Sequence, residues 1–424
     1  MKHLFHLAFA ILMLASCNQS EPEIIGFQET LNEGKISRKK AQETLLRVRA
    51  RLFPETRSNT TEIASCESFG RHLTPTTRAG EEAMVYVFNF KDNKGFAIMS
   101  ANPAFPDVLA MSDKGNLNLS ESMPDNGVSD FVALLDDYIE IGIDTAMHPD
   151  NKVYTVTTDW SEKVKTTPMC KVKWSQDYPY NQYTPVIGGT HAPTGCGAVA
   201  VAQAMSIFGR PTSFGGYDFN WPAMIEANAS QNNTANQQIA RLMEVMGRPE
   251  YGDFIYGASG TASFINQLRQ ILNLSGYANA YLPTTSRPNP DGSTSHDAIP
   301  YKDINVRAEL ESSRPVIVQG NLTNDLFSLS HFWLLHGFME MERIIEERIN
   351  TDTQVIVLSS KTETAEYVLC NWGWNGVYDG YYLNGVFEVA GLDYIPEDPW
   401  EFGESTDDYS HLLHAIINIY PTTH

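Results

Sequence analysis

Cys196 stands in Thr194-Gly195-Cys196-Gly197-Ala198-Val199-Ala200-Val201-Ala202-Gln203-Ala204-Met205. Pro193 and Thr194 suit a helix start and Gly209-Arg210-Pro211 a stop, so a helix that is small or apolar nearly all round, hence buried, begins at the cysteine. In that first turn the helix dipole and the unpaired N–H groups favour a thiolate, the form of cysteine that attacks carbonyls. Taken alone, the position suits a buried, inert thiol better. A nucleophile needs a base, and Ser330-His331-Phe332-Trp333-Leu334-Leu335-His336 reads as a strand. Alternation puts His331, Trp333 and Leu335 on one face and Phe332, Leu334 and His336 on the other, so only one of the two histidines can face the thiol. His191, on the loop leading to the cysteine, is a weaker rival. Two amides complete the set. Asn371, in Cys370-Asn371-Trp372-Gly373-Trp374-Asn375-Gly376, can orient an imidazole while Trp372 shields that bond from water. Gln176, in Trp174-Ser175-Gln176-Asp177-Tyr178-Pro179-Tyr180-Asn181, can donate to a developing oxyanion. These residue types together compose acyl transfer through a thiol.

The elements that would position them lie in a chain of 424 residues, long enough for two to three domains. Apolar residues at 42% and charged residues at 19% describe a globular protein. A net charge of −21 excludes a nucleic-acid binder that works by neutralising phosphates. Five cysteines are too few for a disulfide scaffold. Lys2 and His3 precede an apolar run at residues 4–15, broken only by His6, which is too short to span a bilayer and suits a secretory leader. Leu14-Ala15-Ser16-Cys17 resembles the bacterial lipoprotein box, which makes Cys17 the expected lipidation site and membrane anchor.

Residues 36–52 have the apolar spacing of an amphipathic helix capped by Ser37, residues 83–90 and 95–100 read as a β-hairpin, and residues 131–143 suggest a helix. Residues 101–150 carry ten acidic residues against one lysine, whereas residues 161–173 carry four lysines against one glutamate. Such a shift marks a linker between units. Residues 341–366 read as an elongated surface hairpin, and residues 415–421 as a last strand.

In order and context, Trp-x-Gln-x-x-Pro-Tyr-Asn at residues 174–181, Thr-Gly-Cys with its alanine-rich helix, a strand histidine, and Asn-Trp-Gly-Trp-x-Gly followed by Asp379-Gly380-Tyr381 resemble the streptopain family of papain-like cysteine peptidases. Asn220-Trp221-Pro222-Ala223-Met224 and Tyr256-Gly257-Ala258-Ser259-Gly260 extend the resemblance, and the hairpin upstream resembles the family's propeptide, itself related to dedicated inhibitors. The resemblance implies an α+β fold: a papain-like, two-lobed cysteine peptidase preceded by a small α+β propeptide domain. It implies Cys196 as nucleophile, His331 as general base, Gln176 with the Cys196 N–H as oxyanion donors, and Asn371 and Trp372 as the residues that orient and cover the histidine. It requires no metal or cofactor and implies protein or peptide substrates, with an apolar side chain two positions before the cut. Ser330 and Phe332 beside the histidine, and His336-Gly337-Phe338 further along its strand, depart from the family's pattern.

The expected organisation is a signal peptide at 1–16, a propeptide at 17–151 acting as an intramolecular inhibitor, and the peptidase at 152–424. Cleavage between Asp150 and Lys173 would remove the propeptide and release the peptidase from its anchor. The implied location is a bacterial membrane, at the outer membrane or cell surface. A protease scaffold that has lost activity and serves as a surface-binding lipoprotein, and an amidase acting on cell-wall peptides, are the competing readings. Cys370 reads as structural. Cys66 and Cys170 are the pair available for a bridge in an oxidising compartment, with nothing in the sequence to supply its geometry.

Overall fold

The structure is a computed structural model that describes residues 28–29, 35–53, 62–76, 82–103, 105–120, 127–145, 153–230, 233–289, 293–321, 330–350, 355–388 and 413–422. Cys17 and the leader lie outside the described residues. One 12-stranded sheet organises the chain. Its strands in chain order are β1 (Gln28–Glu29), β2 (Ile63–Phe69), β3 (Val85–Phe90), β4 (Phe96–Ser100), β5 (Val108–Ser112), β6 (Val153–Thr157), β7 (Ser161–Lys165), β8 (Val316–Asn321), β9 (Ser330–Asn350), β10 (Val355–Asn371), β11 (Gly380–Leu383) and β12 (Leu413–Ile416). In space the order is β1-β6-β9-β10-β11-β5-β4-β3-β2, with β7 and β8 also on β9 and β12 on β8. The helices are α1 (Arg38–Leu52), α2 (Gly127–Thr145), α3 (Cys196–Phe208), α4 (Trp221–Ile225), α5 (Thr234–Met246), α6 (Ile265–Leu274), α7 (Val306–Glu311) and α8 (Asn384–Glu388). Among the described residues no helix is long and apolar enough to cross a membrane.

The N-terminal unit forms as its sequence dictates. Ser37 Oγ accepts from the Lys40 N–H at 3.2 Å to start α1. Ala41, Leu45, Val48 and Leu52 then bury one stripe of that helix. β3 and β4 pair as the expected hairpin, Val85 opposite Ser100. The helix expected at residues 131–143 is longer at both ends and begins at Gly127. β5 is where this unit meets the rest of the chain, pairing with β11 through Ser112–Gly380, Met111–Tyr381 and Ala110–Tyr382. Strands from the N-terminal and C-terminal parts of the chain therefore share one sheet. The charge shift marks a junction that is itself built into that sheet: β6 and β7 both run antiparallel to β9. The last strand ends at Ile416 and lies slightly earlier than the expected 415–421.

Two cores form on opposite faces of β9. Trp333 and Leu335 join α1, α2 and the N-terminal strands in one core, while Phe332 and Leu334 join α3, α5 and α6 in the other. The alternation read along this strand is thus the division between the two cores.

Candidate active site

Cys196 is the first residue of α3 and is half-buried. Gly195 before it has φ +91°, a left-handed conformation that glycine adopts without strain, and a β-carbon there would stand 3.3 Å from Thr261. Thr261 Oγ1 donates to the Pro193 carbonyl at 2.6 Å, fixing the approach to the helix from the other side. The Thr194 N–H donates to the Gln176 carbonyl at 2.9 Å, which ties Gln176 to the chain two residues before the thiol. The Gln176 side chain is half-buried and makes no hydrogen bond among the described residues.

His331 lies on β9 opposite Gly320 of β8. Its ring is 6% exposed, and its Nε2 stands 3.2 Å from the Trp372 carbonyl oxygen. A carbonyl only accepts, so the proton sits on Nε2 and the Nδ1 lone pair is the basic site. The Trp333 and Trp374 rings lie nearly parallel to the imidazole, each with centroid 6.2 Å away. The Trp loop reaches α3 as well: a β-carbon at Gly373 would stand 3.1 Å from Val199 Cγ1, one turn beyond Cys196. The loop that holds His331 therefore packs on the first turns of the helix that begins at Cys196.

The Asn371 amide is engaged away from the imidazole that the resemblance assigns to it. Its Nδ2 donates to the Val172 carbonyl at 2.9 Å and its Oδ1 accepts from the Gly373 N–H at 3.1 Å. Its amide is engaged there and makes no hydrogen bond with His331; the neighbouring backbone carbonyl takes the imidazole N–H instead. Asn371→Ala leaves a buried carbonyl and a buried N–H without partners, so we expect a loss of about 1–3 kcal/mol of stability in chemical denaturation. The His331 titration should stay in place, and a shifted titration would restore Asn371 to the role of orienting residue.

The other candidates fall away. His191 is exposed, with Nδ1 2.6 Å from the Thr184 carbonyl. His336 is buried, its Nδ1 accepts from the Cys170 N–H at 3.2 Å, and burial pushes its pKa down to about 3. Cys370 is fully buried and burial raises its thiol pKa well above the ordinary value, as suits a structural residue. Cys66 and Cys170 are both free thiols, so no bridge joins them.

The residues that cover His331 come from the N-terminal unit, and none of them stands out in the sequence. Gly127 opens α2, and a β-carbon there would stand 2.1 Å from the Trp372 ring and 2.9 Å from His331 Cδ2. Asp130, 4% exposed, packs on Gly320, whose own β-carbon would meet Asp130 Oδ2 at 2.8 Å. The first turn of the N-terminal unit's helix is thus seated on the histidine and its strand partner. Burial pushes the His331 pKa down to about 4, opposed by the hydrogen bond to Trp372. The neutral ring is favoured while α2 is in place, and uncovering lets it take up a proton near the ordinary 6.5. The covered state is therefore stabilised above pH 6.5 by this group, and that contribution is lost as pH falls towards 4. In a Cys196→Ala protein, the His331 ring should titrate near 4 by NMR and move up by about 2 units once the N-terminal unit is removed. A titration near 6.5 in the intact chain would contradict the covering.

A thiol on a helix N-terminus, a carbonyl-bound imidazole on the strand packed against that helix and an N-terminal unit seated over the imidazole are the parts of a papain-like cysteine peptidase with its propeptide in place. Residues 174–382 match the Peptidase C10 family and residues 36–139 match the Spi protease inhibitor family. Residues 174–382 are thus a peptidase C10 unit, with a Spi-type inhibitor unit at residues 36–139 before it. It is 23% identical over 431 residues to the thiol protease/hemagglutinin PrtT of Porphyromonas gingivalis, covering 93% of this chain and 43% of that protein. It therefore spans less than half the length of this relative. It is 22% identical over 381 residues to streptopain of Streptococcus pyogenes, covering 80% of this chain and 81% of that protein. A fragment of Prevotella intermedia prointerpain A has the same fold, with TM-score 0.52 at 20% identity over 84% of this chain and all of the fragment.

Proposed function

We propose that this chain is the exported, lipid-anchored zymogen of a cysteine endopeptidase, with residues 17–151 as propeptide and 152–424 as peptidase. The observation that carries the reading is the seat of α2 on His331 and Trp372, an inhibitory contact made at the base itself. The leader and Cys17 support export and anchoring from sequence alone.

Once uncovered, His331 takes the Cys196 proton on Nδ1 while the Trp372 carbonyl holds the other ring proton on Nε2. The thiolate adds to a peptide carbonyl, and the Gln176 amide and the Cys196 backbone N–H donate to the resulting oxyanion. The C–N bond breaks as Nδ1 protonates the leaving amine, leaving a thioester. Water, deprotonated by Nδ1, then releases the acid and restores the thiol. One peptide bond and one water become one carboxylic acid and one amine. Casein hydrolysis by the processed protein with thiol reductant present, compared with Cys196→Ala, tests this. Equal rates, or no hydrolysis by either, would instead favour the inactive surface-binding scaffold.

A further inference from the structure

The β9–β10 hairpin is longer than its role in the active site requires. Its pairing continues from Glu340–Glu366 out to Asn350–Val355, well beyond the segment that carries His331 and Trp372. The outer part of β9 is occupied by the junction between the two units. Ile345 to Ile349 pair with Thr157 to Val153 of β6, and Met339 to Glu342 pair with Lys165 to Ser161 of β7. Between these strands the Thr158 N–H donates to the Ile344 carbonyl at 2.9 Å, and the Ile344 N–H returns a bond to Thr158 Oγ1 at 2.8 Å. The attachment continues past β7, where the Thr166 N–H donates to the Phe338 carbonyl and the Met169 N–H to the His336 carbonyl, both at 2.9 Å.

Side chains fasten the same segment. Trp160 is 7% exposed, beneath the Arg343 guanidinium at 4.6 Å from its ring centroid. It lines a small cavity with Val48 and Leu52 of α1, Val108 of β5, and Met341 and Tyr381 of the peptidase sheet. Asp159 pairs with Arg47 of α1, and Lys163 pairs with the buried Glu340 at 2.9 Å. The stretch between the units is thus paired strand at residues 153–157 and 161–165, with further backbone hydrogen bonds at Thr158, Thr166 and Met169, inside the window Asp150 to Lys173 expected for the separating cut.

A peptidase takes its substrate as an extended chain with free backbone groups, so a strand already paired is cut only when it opens. We propose that the outer β9–β10 hairpin is a clamp that shields the junction, so that separation of the two units spares residues 153–165 and leaves them on the peptidase as a strand of its sheet. The proposal extends the zymogen reading, and its test does not depend on that reading because it uses inactive protein and added proteases.

The test is limited digestion of the full Cys196→Ala chain with chymotrypsin and with trypsin, followed by mass spectrometry. A second protein carries Asn-Gly in place of residues 345–361, which removes the partners of β6 and keeps those of β7. In the full hairpin, the bonds after Tyr154, Trp160, Lys163 and Lys165 should resist. With the hairpin shortened, cutting after Tyr154 should accelerate at least tenfold, while Trp160, Lys163 and Lys165, whose partners are kept, remain protected and report a retained fold. Ready cutting within residues 153–165 of the full hairpin, or equal rates after Tyr154 in the two proteins, would overturn the proposal. If the shortened chain does not fold, hydrogen exchange on the full Cys196→Ala chain decides: slow exchange across residues 153–165 supports the clamp, and exchange as fast as in an unfolded chain rejects it.

Discussion

Cys196→Ala lowers kcat/KM for casein by about 10⁴-fold or more, because covalent catalysis ends when the nucleophile is removed and the remaining groups act as a unit. Alanine is smaller than cysteine and is the best helix former, so α3 should persist with its buried face of Gly197, Ala198 and Val199 intact. A near-native melting temperature would separate loss of chemistry from loss of fold. His331→Ala should give a loss of similar order, and the double variant little more than either single one, since thiol and imidazole serve one proton transfer. Additive losses would mean that the two residues do not belong to one catalytic unit.

Gly127→Ala should speed self-processing by roughly ten- to a hundredfold, the range that an overpacking cost of about 1–3 kcal/mol produces. A single methyl is sufficient, because its carbon would stand 2.1 Å from the Trp372 ring, against a fully buried side chain that has nowhere to move. The sign of the effect is diagnostic. Alanine is a better helix former than glycine by up to about 1 kcal/mol, so on α2 alone the substitution would strengthen the propeptide. Faster processing therefore requires that the helix start press on the active site. Unchanged or slower processing, with α2 still folded by circular dichroism, would remove α2 from the inhibitory contact.

The chemistry of this chain was more legible than its regulation. Cys196 announced itself through a run of small residues that only a buried helix accommodates, and α3 ends at Gly209 as expected, while its N-cap is Gly195 rather than Thr194. The two faces of β9 followed from period-two alternation. Asn371 stands out in the sequence as a histidine partner because an amide beside a tryptophan suits that role. A sequence does not reveal that a backbone carbonyl is closer, since every residue carries one. The start of α2 was obscured for a related reason. Gly127 is a poor helix former, so the pattern became recognisable only from Phe131 onward, and the residue in closest contact with the base has no side chain to draw attention. Long-range pairing was equally hidden: nothing local in Val108–Ser112 specifies that its partner is β11, more than 250 residues later.

The shared sheet has a consequence for how silence and activity are partitioned. β5 grips β11 by main-chain pairing while both belong to one polymer, and a short tether holds such a partner at an effective concentration on the order of 1 mM. Against that concentration a dissociation constant of only about 10 µM keeps roughly 99 of 100 molecules closed. Once the tether is cut, the same grip at nanomolar concentration holds almost none. The inhibitor therefore has no need to be a tight binder, and activation amounts to dilution.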